Sequence, residues 1–521
     1  MRFINYLKIK NVVLTVGFII FFIFLIFFVK NAYNSKTLNS SYVSTIIVPH
    51  HDLVADKRQE VFEKIAPKTQ NRRIILLAPN HYNSGTANIQ TRRQTFSTQY
   101  GDIKVDDSLF KLVLSYGVEE TNSTFEAEHG IKALLPDIAK YYPNSNIVPL
   151  VIKEASSQEQ LNNLLKALNN NCKDCLMIVS ADFSHYQPYL LSKLHDELTI
   201  RGLQNLDSEL LDSKSELEPM HHVWMAVKWA ELHDTKHFEI AKHTFSHKVI
   251  KDFYAEGTTH IMGWYDNGQP AEPSSGVSFA ITGPLNFNDS KSKNNQNPST
   301  IFNQLGERVL WGTDLVLGNL IYDKPANKKM IDALKPLRFT HYLTENNELA
   351  KNINAEVLEN STKIKSQNQQ ILVLSGKASQ ISVEKIKENQ ASNIIIYTDW
   401  ELNIKTQKQE LAHKWIDSGA DIVIGINDEK ISELEQYKNR LVAYSLGDFV
   451  SLDEPDGYSI ILAGEFTDDR INILPLLIKK QNYQPILGRS KESDQLLSKF
   501  FVQLKHFETD NKGGLLYSLP K

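Results

Sequence analysis

The sequence predicts a two-domain α/β protein behind an N-terminal apolar segment. Three observations predict it. Short apolar runs alternate with amphipathic stretches over two long regions, the pattern of mixed α/β folds. A Pro-, Gly- and Ser-rich break at Asn267–Ser275 separates those regions. The chain has 521 residues, beyond the size of one ordinary domain, and its 41% hydrophobic and 10% aromatic content is enough to build real cores. The formal charge of −4, with no basic patch interleaved with aromatics, gives no nucleic-acid footprint.

Taken in order, Val12 to Val29 is an unbroken apolar run without a charge, long enough for a spanning helix and longer than a typical cleavable signal core. Arg2, Lys8 and Lys10 precede it, and only Lys30 and Lys36 follow closely. That bias favours a cytoplasmic N-terminus and an exported body: a single-pass membrane protein, with a cleaved signal peptide as the alternative. Residues 1–42 are thus read as N-terminus, anchor and tether. The first domain, 43–266, carries expected strands at Thr45–Pro49, Ile74–Pro79, Ile147–Ile152, Leu176–Ser180 and His260–Trp264. Its helices are expected at Val54–Ile65, Ser108–Ser115, Ile131–Tyr141, Gln158–Leu168 and His222–Leu232. After the 267–275 linker, a second domain is expected over 276–485, closing with a hairpin around Asp468-Asp469, and 486–521 is read as a tail or helix. The two cysteines, Cys172 and Cys175, cannot complete a zinc site alone, and half-buried thiols are favoured over a local disulfide.

Three apolar runs of the first domain end on histidine. Ile46–Pro49 runs into His50-His51, Ile74–Asn80 into His81, and Leu176–Ala181 into Asp182-Phe183-Ser184-His185. Ligands bind outside the carboxyl ends of strands in such sheets, and imidazole suits iron, copper and zinc. Glu128-His129 precedes a helix, where a carboxylate keeps its charge favourably and could orient a ligand or act as a base.

The order Pro49-His50, Ala78-Pro79-Asn80-His81, Glu128-His129 and Ser180-Ala181-Asp182-Phe183-Ser184-His185 resembles the Memo family (AmmeMemoRadiSam system protein B), across about 220 residues. Tyr100–Ile103 with Val105-Asp106, and Ile147–Leu150, are similar to further family segments. The resemblance implies a fold like class III extradiol dioxygenases with a non-haem pocket for one metal ion (iron, copper or zinc). His50 and His81 would be ligands, with Asp182, His185, Glu128 and His129 lining the pocket as acids, bases or orienting groups. The sequence departs from the family in two places. The Gly of the family's first motif is lost, since His51-Asp52-Leu53 follows His50. The downstream ligand cysteine falls within Ser213–His222, which has no Cys; Glu218, His221 and His222 are the candidates to replace it, Glu218 being taken as the third ligand. The alternative is a site that has lost its metal.

Gln409–Asp421, Ile422–Gly425 and Val442–Phe449 resemble CapA-type capsule or poly-γ-glutamate synthesis proteins of the calcineurin-like metallophosphatase superfamily. The metal motifs have not carried over: Gly283-Pro284, Thr398-Asp399-Trp400-Glu401 and Gly425-Ile426-Asn427-Asp428-Glu429 stand in their places. A dinuclear phosphoesterase needs those clustered ligands, so this domain is read as a degenerate binding or structural module. Three functions follow as expectations: a membrane-anchored Memo-like metalloprotein, a non-catalytic cell-envelope protein built of two decayed enzyme folds, or a capsule or polyglutamate factor. The partner would be a small molecule, glycan or protein outside the cytoplasm, and no nucleic acid.

Overall fold

The computed structural model describes residues 42–521 apart from 217–220, 271–275, 289–299, 306, 367–368, 390–392, 427, 503–506 and 509–512. The apolar run Val12–Val29, read as the anchor, lies outside the described residues. Among those that are described, no helix is long and apolar enough to cross a membrane.

The first domain is built on a nine-stranded sheet. Its strands are β1 (Val43–Val48), β2 (Ile74–Pro79), β3 (Ile89–Thr91), β6 (Glu119–Glu120), β7 (Ile147–Ile152), β8 (Leu176–Ser180), β9 (His185–Gln187), β10 (His237–Phe245) and β11 (Gly257–Asp266), while β4 (Phe96–Thr98) and β5 (Gly101–Ile103) form a separate hairpin. The order is β10-β11-β1-β8-β2-β7-β3-β6, with β9 attached to β11. The four central strands β1, β8, β2 and β7 run parallel. They are buried along their whole length, as strands covered on both faces must be. Alternate residues serve two cores. Ile47, Ile75, Leu77 and Val179 meet the helices Gln158–Asn171 and His221–Leu232. Ile46, Val48, Leu76 and Ile178 meet the helices Ala55–Thr69 and Leu135–Tyr141. Ser157 caps the helix Gln158–Asn171 by accepting from Gln160 N at 3.2 Å, and Asp106 caps Asp107–Leu114 through Leu109 N at 2.9 Å.

The second domain packs two sheets face to face. A ten-stranded sheet centres on Val277–Asn286, Leu315–Ile321 and the hairpin Gly457–Phe466/Arg470–Gln481, the hairpin expected around Asp468-Asp469. A seven-stranded sheet centres on Gln369–Lys377, Asn393–Asp399 and Ile422–Gly425. Phe279, Ile281 and Leu317 of the first interdigitate with Val373, Ile395 and Ile424 of the second. The outer face of the seven-stranded sheet is covered by the helix Lys405–Asp417 through Trp415.

One expectation is extended, one is corrected, and one element was not anticipated. From 486 the expected helix is present at Lys491–Ser498, and Leu516–Pro520 adds a strand that pairs with Arg470–Gln481, because its apolar alternation places Tyr517 and Leu519 in the inter-sheet core. Cys172 and Cys175 are joined as a disulfide rather than left as thiols; the turn after the helix Gln158–Asn171 holds their Cα atoms 5.3 Å apart, within bonding range. The long helix Tyr189–Gln204, not anticipated, joins the domains. Its Tyr189, Leu190 and Leu191 enter the core of the second domain beside Leu474 and Ile461. Arg201 on the same helix is buried between Glu465 (Nη1–Oε1 3.0 Å) and Asp314. Gly312 packs on the His195 ring so closely that a Cβ there would come within 2.5 Å of its Cγ, and its φ of +66° also suits glycine.

Candidate metal centre

The strand order assembles the site. Because β8 lies between β1 and β2 and all three run parallel, Ser180 and Asp182 leave the sheet between His50 on one side and His81 on the other. His129 comes to them from the short helix His129–Lys132. Ring centroids lie 4.1 Å apart for His81 and His129, 4.7 Å for His50 and His81, and 5.0 Å for His50 and His129. One nitrogen from each of the three falls within 4.8 Å of the others, so the group could hold a metal ion.

The surroundings fix which nitrogen faces inward. Ser180 Oγ donates to Gly130 O at 2.7 Å, so it can only accept from His50 Nδ1 at 3.0 Å. His50 is therefore the Nδ1–H tautomer, and its Nε2 lone pair faces the site, 3.3 Å from Asp182 Oδ2. His81 Nδ1 lies 2.7 Å from Glu128 Oε1 and donates to it, which likewise leaves Nε2 as the ligand atom. Glu128 is fully buried and N-caps the helix His129–Lys132 by accepting from Gly130 N at 2.8 Å, while His81 N reaches its other oxygen at 3.1 Å. Burial would raise the Glu128 carboxyl, but these bonds and the His81 charge outweigh it and hold it below its ordinary value. Burial, then the neighbouring His81 and His129, keeps His50 well below the ordinary histidine range, and burial lowers His129 too. Burial pushes the Asp182 carboxyl up to about 7, and its Oδ1 is buried without a hydrogen-bond partner. Three imidazoles beside an under-satisfied carboxylate are the donor set a first-row cation requires, so the residues fit a metal.

A second group adjoins the first. β11 runs antiparallel to β1 with Ile47 opposite Gly263, which brings His260 level with the turn at His50-His51. His51 Nδ1 and His260 Nε2 are 3.0 Å apart, and together with Asp182 they also could hold a metal ion.

Of the residues singled out in the sequence, His50, His81, Glu128, His129 and Asp182 come together here. His185 lies buried in β9 with its amide held by Glu216 Oε1 at 3.2 Å. Glu218 lies outside the described residues. His221 is turned to Glu154 O at 2.7 Å, and neither it nor His222 belongs to either three-ligand group. Residues the sequence did not disclose include His51 and His260, Ser180 as the orienting hydroxyl, and two buried anchors. Arg58 pairs with Asp137 at 2.6 Å and donates to Pro49 O at 3.1 Å and Ala133 O at 3.0 Å, tying the turn before His50 to the helix beyond His129. Glu216 accepts from His195 Nδ1 and Ser184 Oγ, each at 2.5 Å. The doublet His50-His51 was the one available signal for His51, and nothing in the sequence marked the strand β10 that supports His260.

In the second domain, a cavity of about 510 Å³ is lined by Asn319, Tyr322, Lys377, Asp399 and Ile426 among others. Both groups able to hold a metal among the described residues lie in the first domain.

Fold and site thus define a two-domain α/β protein with a histidine-built, metal-capable rim on its first sheet. Residues 24–249 match the model of the Memo-like protein family, and 324–453 match that of the bacterial capsule synthesis protein PGA_cap, so the chain carries a Memo-like domain fused to a CapA-like one. MEMO1 family proteins are similar to the first domain. That of Caldivirga maquilingensis is 27% identical over 191 residues (34% of this chain, 66% of that protein), and that of Pyrobaculum aerophilum 29% over 138 residues (26% and 49%). The chain spans from about half to 66% of the length of these curated relatives. Among solved structures, an uncharacterised protein of Escherichia coli K12 overlaps 42% of this chain and 99% of its own at 12% identity and a TM-score of 0.31. A zinc-complexed Vps29 from Entamoeba histolytica overlaps 41% and 98% at 12% identity and a TM-score of 0.23.

Proposed function

We propose that this chain is a membrane-anchored metalloprotein whose Memo-like domain holds one first-row transition-metal ion through His50, His81 and His129. The observation that carries the proposal is the pair of locked tautomers: Ser180 and Glu128 turn the Nε2 atoms of His50 and His81 into one site that His129 completes. A three-imidazole face leaves coordination positions open, and the metal bound there would supply Lewis-acid or redox chemistry to a ligand entering from solvent. Asp182, 3.3 Å from His50 Nε2, is placed to hold or take a proton from that ligand. Glu128 orients His81, and Arg58 fixes the turn that carries His50. The anchor reading rests on Val12–Val29, and the Cys172–Cys175 disulfide supports an exported body, since such bonds persist in oxidising compartments. Elemental analysis of the full-length protein purified anaerobically tests the site. At least one iron, copper or zinc per chain, reduced by one in the His50→Ala/His81→Ala variant, is expected; no metal in either protein after reconstitution would refute it.

A second reading concerns the CapA-like domain, which we read as a binding module for an anionic polymer. A cavity of about 670 Å³ at the domain junction is lined by Lys214, Lys335, Arg338, Lys363 and Lys365, with Asp314 and Glu356 as its acidic members. Salt-dependent binding of poly-γ-glutamate to the full chain, weakened in Lys363→Glu/Lys365→Glu, supports it; equal binding by the variant would contradict it.

A further inference from the structure

We infer that His51, Asp182 and His260 form a second metal site beside the first, making the rim of the Memo-like sheet a two-metal centre. Each ligand comes from a different element at the same edge. His51 follows β1, Asp182 follows β8, and His260 lies on β11, the strand on the other side of β1. One ligand atom from each lies within 4.8 Å of the other two.

Three features point to a cation rather than to ordinary packing. His51 Nδ1 and His260 Nε2 face each other at 3.0 Å, so one of them already presents a lone pair into the gap. The other face of His260 is held by Thr244, whose Oγ1 lies 3.2 Å from Nδ1; with Nδ1–H donated to that hydroxyl, Nε2 carries the lone pair that faces His51. Asp182 is 6% exposed, yet its Oδ1 has no hydrogen-bond partner, while Oδ2 points at His50 Nε2. A buried carboxylate oxygen without a partner is costly, and a cation between Asp182 and the two imidazoles removes that cost. The donor set is two imidazoles and a carboxylate, which suits a divalent first-row ion such as zinc or iron. His50 and His51 are consecutive residues that serve the two ions separately.

The test is Co(II) stoichiometry of the full-length protein, by elemental analysis after desalting and by visible d–d absorption, for the parent, His51→Ala and His81→Ala. His51 is half-buried, and its only side-chain hydrogen bond among the described residues is to His260, so its loss spares the core. Thr244→Val, which removes the hydroxyl that orients His260, is the second variant. Two Co(II) per chain, falling to one in His51→Ala with loss of one set of bands, and weaker second binding in Thr244→Val, are expected. One Co(II), unchanged in His51→Ala but lost in His81→Ala, would overturn the second site and leave the first standing. One Co(II), lost in His51→Ala but retained in His81→Ala, would uphold the second site and refute the three-histidine one. Absence of bound Co(II) in all three proteins would overturn both.

Discussion

Replacing Glu128 by Gln should loosen the metal without dismantling the fold. The Glu128 side chain is fully buried and accepts three N–H groups: His81 Nδ1 at 2.7 Å, Gly130 N at 2.8 Å and His81 N at 3.1 Å. Glutamine is isosteric but has one carbonyl oxygen, so its amide NH2 must face a donor in either orientation. A buried donor left unmade costs about 1–3 kcal/mol of stability. The His81 ring also loses the carboxylate that holds its Nδ1–H, and removal of such an outer partner costs about 10–100-fold in metal affinity. That factor corresponds to about 1.4–2.7 kcal/mol at 1.36 kcal/mol per decade. Competition against a chromophoric chelator reads the affinity and a urea titration reads the stability, with the exposed neighbour Glu126→Gln as control. An affinity within about twofold of the parent, at unchanged fold, would refute the assignment of Glu128 as the group that orients His81.

Two further outcomes follow from the buried charges. Arg201→Met leaves Glu465 and Asp314 facing each other in the domain junction, and breaking a buried pair from one side costs about 3–5 kcal/mol, so thermal unfolding should begin earlier and proteolysis should separate the domains. Burial, then the nearby His51 and His185 charges, lowers His260 to about 3, below its unfolded value near 6.5. Its contribution is therefore complete above pH 6.5 and is lost as the pH falls through that value toward 3, costing about 2 kcal/mol by pH 5 at 1.36 kcal/mol per unit. Metal-free protein should lose stability between pH 7.5 and 5 by urea titration, and His260→Gln should lose about 2 kcal/mol less over that interval.

Much of the first domain was legible because its central strands are continuous apolar runs, which only a doubly covered parallel sheet accommodates. The convergence of His50, His81 and Asp182 was legible for the same reason: each directly follows such a run. The helix Tyr189–Gln204 was not, because its buried face carries His195, Asp196 and Arg201 among its leucines, and those polar positions blur the apolar period. His129 was seen only as a neighbour of the pocket, since its place in the ligand set depends on a loop packing across the sheet. His260 needs the antiparallel pairing of β11 with β1, a register that local sequence does not state. On its other edge β11 pairs with β10, whose half-buried residues give it little apolar signature. In the second domain the hairpin around Asp468-Asp469 was legible, yet the return of Leu516–Pro520 depends on contacts nearly fifty residues back in the chain.

The most direct test of the central claim is X-ray absorption at the metal edge of the full-length protein isolated anaerobically. A first shell of nitrogen and oxygen only is expected, with the outer-shell scattering of about three imidazoles that diminishes in His129→Ala. The chain has two cysteines and they are joined to each other, so a sulfur neighbour at the metal would contradict the site outright, as would a spectrum unchanged by the loss of His129.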